Sequence, residues 1–150
     1  MFPKINNTIT NIENNSTVTL GKCFKFDFKK GQHIVIDGKF VECDFKENIK
    51  HFIQVILRTK KDTFKVYMID EEEDFGLSIH SHIGNKVYHK GFILSECKRE
   101  ITEQLLNHPF IKDVDNFTFD FENTLLTINF NCYLQNNETL NISEVLDIEL

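Results

Sequence analysis

Apolar residues at Ile49, Phe52, Ile53, Ile56 and Leu57 fall on one face of a helix and on neither face of a strand. That stripe constrains the chain more than any other feature, because a helix with one oily face has to be covered by something. Asp44 and Glu47 just upstream have the spacing of a capping box, so the helix is expected to start there and run to about Thr59. A second stripe, Leu94, Cys97, Ile101 and Leu105, follows Gly91 and is cut off at Pro109. Beyond Pro109 the period changes from helical to alternating: Phe117, Phe119 and Phe121, then Leu126, Ile128, Phe130 and Cys132. Two consecutive strands, about 115–121 and 125–134, are expected to pair through a turn near Glu122-Asn123 and to bury their faces against the two helices.

Upstream of the first helix, Phe24, Phe26 and Phe28 alternate with Lys25 and Asp27. Segments 32–36 and 39–43 flank Asp37-Gly38, a dipeptide suited to the positive φ angles of a two-residue hairpin turn. A short strand is expected over Phe64–Met68. Leu77, Ile79 and Ile83 fit either a short helix or an irregular packed segment. The fold class is therefore α+β: two amphipathic helices on a mostly antiparallel sheet, with an N-terminal hairpin and extended terminal arms. Three regions are expected: a polar, Asn- and Thr-rich arm over 1–20, one α+β domain over 21–135, and a C-terminal strand or arm over 136–150.

Composition removes several classes of function. A net charge of −6 disfavours nucleic acid, whose phosphates call for clustered Lys and Arg. No apolar run approaches the ~20 residues that span a bilayer, and no secretory signal is visible, so neither a membrane nor an export route is expected. Cys23, Cys43, Cys97 and Cys132 lie far apart in sequence and form no C-x-x-C pair, which reads as four reduced, mostly buried thiols.

Catalytic and metal chemistry fare no better. A glycosidase needs two carboxyl groups across a cleft, one of them raised in pKa by burial. The carboxylates here crowd into Glu71-Glu72-Glu73-Asp74, an arrangement that stays solvated. His80-Ser81-His82 and His89 lack further ligands at zinc spacing. Asp74-Phe75-Gly76 matches the magnesium tripeptide of protein kinases without their Gly-rich loop or His-Arg-Asp motif. No catalytic residue, metal site or cofactor is expected.

Taken in order, the pieces resemble the contractile-tail baseplate wedge or sheath initiator family, also called lysozyme-like wedge proteins. The likeness is to the branch found in phages of Gram-positive bacteria and in related bacteriocin particles. It rests on the hairpin at Gly38, Ile56-Leu57-x-Thr59 at the end of the first helix, Phe64-x-x-Tyr67, Asp74-Phe75-Gly76, Ile83-Gly84, Leu105-Leu106-x-x-Pro109-x-Ile111 and the Phe117/Phe119 strand. It covers roughly residues 22–135. The branch of larger phages carries Glu-Pro-Arg after the first helix, where this chain has Thr59-Lys60-Lys61.

The resemblance implies a non-enzymatic structural protein, assembled in the host cytoplasm and resident in the baseplate of a virion or tail particle. Several copies per ring would template sheath polymerisation by strand addition. Its implied partners are the tail sheath protein, other wedge proteins and the tail tube, with no cofactor. The residues expected to meet partners are Thr59, Lys60, Lys61, Phe64, Tyr67, Asp74, Phe75, Gly76, Leu126, Ile128, Phe130, Leu140 and Ile142. A proline at Ile142 is expected to block strand addition while sparing the core. The other classes weighed are a small ligand- or protein-binding regulatory module and, third, a cell-wall hydrolase.

Overall fold

The computed structural model describes residues 19–63, 75–82 and 87–148. Its elements run β1 (Phe26–Asp27), β2 (Gln32–His33), β3 (Val35–Ile36), β4 (Lys39–Phe40), α1 (Phe45–Arg58), α2 (Ile79–His82), α3 (Lys90–Leu106), β5 (Ile111–Glu122), β6 (Leu125–Leu134) and β7 (Thr139–Asp147). The class is α+β, with helices α1 and α3 laid on a three-stranded antiparallel sheet of order β5-β6-β7.

The first helix forms as its sequence dictates. The Asp44 side chain accepts from the Glu47 amide at 2.8 Å, and the Glu47 carboxylate accepts from the Asp44 amide at 2.9 Å. Two amides at the open N-terminus are thereby satisfied. Ile49, Ile53, Ile56 and Leu57 are buried, while Phe52 packs half-buried against the same core. From α3 come Cys97, Ile101 and Leu105, and from the sheet Val114, Leu126, Ile128, Phe130, Cys132, Leu134, Ile142 and Leu146. Each fully enclosed Ile or Leu contributes roughly 1.5–3 kcal/mol of transfer free energy.

Two boundaries differ from those read off the sequence, and the C-terminal segment takes one of its two expected forms. Helix α3 begins at Lys90, about one turn before Leu94, with His89 as its cap: the imidazole Nδ1 accepts from the Gly91 amide at 3.2 Å. Gly91 thus lies inside the first turn. Strand β5 begins at Ile111 and not near 115, with register shifts between Ile111 and Asp113 and between Asp115 and Thr118. The C-terminal segment is a strand, β7, paired with β6 from Leu125↔Asp147 to Tyr133↔Thr139 without a slip. The strand expected over Phe64–Met68, the stop at Ile83-Gly84 and nearly all of the 1–20 arm lie outside the described residues.

Residues 23–43 fold as a small unit beside α1. The Asp37-Gly38 turn has φ of 50° and 74°, the two positive values a tight hairpin turn requires. Three segments then bond in a closed triangle: Lys25 N–H to the Val41 carbonyl (2.8 Å), Ile34 N–H to that of Lys25 (3.0 Å), and Val41 N–H to that of Ile34 (3.2 Å). The unit is held to the helix by Lys25–Glu47 (2.7 Å), by Asn48 Nδ2 donating to the Gly21 carbonyl (2.6 Å), and by the Arg58 guanidinium 4.6 Å over the Phe28 ring.

Candidate assembly interface

The two outer strands of the sheet present different edges. Ile148 N–H donates to the Thr124 carbonyl and Leu134 N–H to that of Glu138. In an antiparallel ladder bonded pairs alternate. The pairs Leu126↔Leu146, Ile128↔Glu144, Phe130↔Ile142 and Cys132↔Leu140 are therefore the hydrogen-bonded ones. It follows that Thr139, Asn141, Ser143, Val145 and Asp147 turn their N–H and C=O groups away from β6. Their side chains are exposed, and no described strand lies beyond them. This is a nine-residue edge in unbroken register.

The opposite edge is interrupted. The two register shifts put bulges into β5, and Asn116 adopts φ of 55° within the second. Bulges of this kind twist an edge and end its pairing. Helix α3 lies along β5, with Lys98 Nζ 5.7 Å over the Phe117 ring and Lys90 Nζ 4.2 Å over that of Phe121. Of the two edges, β7 is the one suited to receive a further strand.

A buried carboxylate fixes that strand. Glu144 sits on the core face of β7, 6% exposed, where an unpaired charge would be costly. Arg58 Nη2 donates to Glu144 Oε2 at 2.9 Å, and Gln54 Nε2 to Oε1 at 2.7 Å, both from α1. The strand cannot shift along the helix without leaving this charge alone. Nothing local in the sequence signals the pairing, since the partners stand 86 and 90 positions apart. The one available hint is phase, because Glu144 alternates with Ile142, Leu146 and Ile148.

The residues expected to meet partners separate into three groups. Leu126, Ile128, Phe130 and Ile142 are buried on the helix-facing side of the sheet, and Leu140 packs half-buried against the same core. Their side chains are closed to a partner, because the alternation that makes a strand look adhesive is the alternation that builds its core. Ile142 also bonds to β6 through its backbone, so a proline there disrupts the fold instead of sparing it. Phe64, Tyr67 and Asp74 lie outside the described residues.

The third group, Thr59, Lys60, Lys61, Phe75 and Gly76, comes together at one junction. Thr59 caps α1, and its hydroxyl donates to the Val55 carbonyl at 2.7 Å. Lys60 forms a parallel bridge with Leu77, and Lys61 lies 3.7 Å from the buried Glu100. Glu100 also accepts from the Ser78 amide at 2.9 Å. Gly76 is gripped by one side chain from α3: its N–H donates to Gln104 Oε1 (2.9 Å), and its carbonyl accepts from Gln104 Nε2 (2.6 Å). Phe75 faces Phe52 at 6.5 Å. The junction ties the end of α1 to the middle of α3, and sequence reasoning missed Gln104 and Glu100, which organise it.

The histidines are likewise occupied. His80 Nε2 donates to the Leu57 carbonyl at 2.9 Å, His82 Nδ1 lies 2.9 Å from the Ser78 carbonyl, and His89 caps α3. Among the described residues no group of three His, Cys, Asp or Glu side chains is placed to hold a metal ion.

The family model for the contractile injection system sheath initiator matches residues 22–138. The chain belongs to that family, whose members are structural components of a contractile tail. The match begins at the triangular unit and ends one residue before β7. No curated protein matches the chain. Among the described residues no helix is long and apolar enough to cross a membrane.

Proposed function

We propose that this chain is a non-enzymatic wedge component of a contractile-tail baseplate, one that nucleates the first sheath ring by accepting a strand along β7. The carrying observation is the contrast between the sheet's two edges. β7 offers five residues with outward N–H and C=O groups in one register, whereas β5 is bulged at two points. Backbone pairing at such an edge gives affinity with little demand on side chains. The Glu144 pair with Arg58 and Gln54 holds the edge rigid, which lowers the entropy lost when the partner strand docks.

In this reading several copies, fixed in a ring during assembly in the host cytoplasm, present their β7 edges together. The first ring of sheath subunits then forms on a geometry already set. Sheath protein and neighbouring wedge proteins are the partners, with the tail tube close by.

The test uses proline, which removes one N–H. In Ser143→Pro the missing N–H points outward, so the β6–β7 ladder survives and strand addition is blocked. Electron microscopy of particles carrying Ser143→Pro is expected to find baseplates and tubes without full sheaths, from a protein whose Tm stays within a few degrees of wild type. Normal sheaths on a folded Ser143→Pro protein would exclude β7 as the docking edge. A peptidoglycan-release assay addresses the hydrolase alternative, and turnover by the purified chain would overturn the structural role.

A further inference from the structure

The four cysteines fall into two unlike pairs. Cys97 and Cys132 are enclosed in the core, 1% and 0% exposed, and burial pushes their thiols up to about 12 and about 11. Cys23 and Cys43 are only partly buried, contrary to the expectation that the thiols are mostly interior. They also stand directly opposite one another. Cys43 N–H donates to the Cys23 carbonyl at 2.8 Å, and the next residues inward, Phe24 and Glu42, form an antiparallel bridge. Directly opposed side chains of an antiparallel pair project from the same face. A hydrogen-bonded pair holds its Cα atoms about 5.5 Å apart, inside the ~4.4–6.8 Å that a disulfide spans.

We infer that Cys23 and Cys43 are a disulfide-forming pair, closed by thiol–disulfide exchange with a low-molecular-weight disulfide such as oxidised glutathione. The chemistry balances without any other reagent. One thiolate attacks a glutathione sulfur, forming a mixed disulfide and releasing one glutathione thiol. The second thiolate attacks the protein sulfur of that mixed disulfide and releases the other. Two protein thiols are oxidised and one glutathione disulfide is reduced to two thiols. Burial first, and the facing Cys23 thiol second, push the Cys43 thiol up to about 11. A thiol of that kind is a poor leaving group, so reduction through that sulfur is slow. The bond would staple the first strand of the 23–43 unit to the last, where that unit enters α1.

The test is independent of the assembly reading. The full chain is incubated with oxidised glutathione under native conditions, alkylated and digested with trypsin without reduction. The expected product is Cys23-Phe24-Lys25 joined to the peptide Phe40–Lys46, with the intact mass lower by about 2 Da. Titratable thiols after unfolding fall from four to two. Cys23→Ser, which keeps the hydrogen-bonded backbone, should leave Cys43 carrying a glutathione adduct and abolish the crosslink. Adducts on both cysteines of the wild-type chain without a crosslink would overturn the inference, as would a bond to Cys97 or Cys132. An unmodified chain after prolonged incubation at pH 9 would overturn it too.

Discussion

A methyl group at position 76 would stand 2.6 Å from the Thr59 carbonyl oxygen and 3.0 Å from its Cγ2, on a backbone with φ of +99°. Neither conflict can relax alone, because Gln104 clamps both backbone groups of Gly76. Gly76→Ala is expected to cost at least ~2 kcal/mol, combining left-handed strain with a backbone clash. Urea denaturation measures it, and a midpoint equal to wild type would mean the junction is not fixed. Two histidines give the chain a second residue-scale property. Burial holds His108 and His51 below the ordinary value of 6.5, with the nearby His33 adding to the effect on His51. The unfolded chain therefore binds protons more readily than the folded one. Stability from these groups is complete above about pH 6.5 and declines as pH falls from there toward their lowered values. Tm recorded from pH 7.5 to 5 is expected to drop, and to drop less in His108→Gln; an unchanged slope in that variant would remove His108 from the account.

At the scale of elements, the α3 stripe and the core face of the sheet can be tested by truncation. Ile101 is fully enclosed, so Ile101→Ala is expected to cost about 2–5 kcal/mol. Phe119 is half-buried, which places Phe119→Ala at the lower end of the cost for a large core truncation. Equal melting of either variant and wild type would contradict the packing. Glu144→Ala leaves Arg58 and Gln54 without their acceptor and is expected to cost about 1.5–3 kcal/mol. Amide exchange at Ile142 and Leu146 should quicken most, since β7 loses its anchor on α1. Which elements were readable from sequence follows from where their causes lie. Asp44 with Glu47, and Asp37 with Gly38, act within four residues, so α1 and the hairpin turn could be placed. His89 is an unusual cap, and Gly91 looks like a breaker, so the true start of α3 was hidden. Bulges interrupt the period-two pattern over 111–118, which masked the beginning of β5. Glu144 puts a charge in the apolar phase of β7, and only the distant Arg58 explains it. Leu126, Ile128, Phe130 and Ile142 proved to be core for a related reason: period two reports burial, while the groups that face outward on an edge are backbone atoms with no sequence signature.

Across the described residues, the helices cover one face of the sheet, one outer strand is bulged and the other runs in unbroken register. The second bulge of β5 contains one residue more than the facing stretch of β6, between Asp115↔Asn131 and Thr118↔Asn129. Deleting Asn116 should remove the second bulge, leave β5 continuous from Asp113 to Glu122 and allow the β7 of one chain to pair with that stretch of β5 in another. Sedimentation velocity is expected to find large species for this deletion and a single slow species for wild type. A folded deletion variant that stays monomeric would mean that the bulge is not what keeps this edge silent. Two live edges on one building block permit open-ended self-assembly, copy upon copy, with no defined length. One live edge makes the block monovalent. In the proposed role it would begin a chain of another protein without extending a chain of its own, so the number of starts would be fixed by the number of blocks set in place.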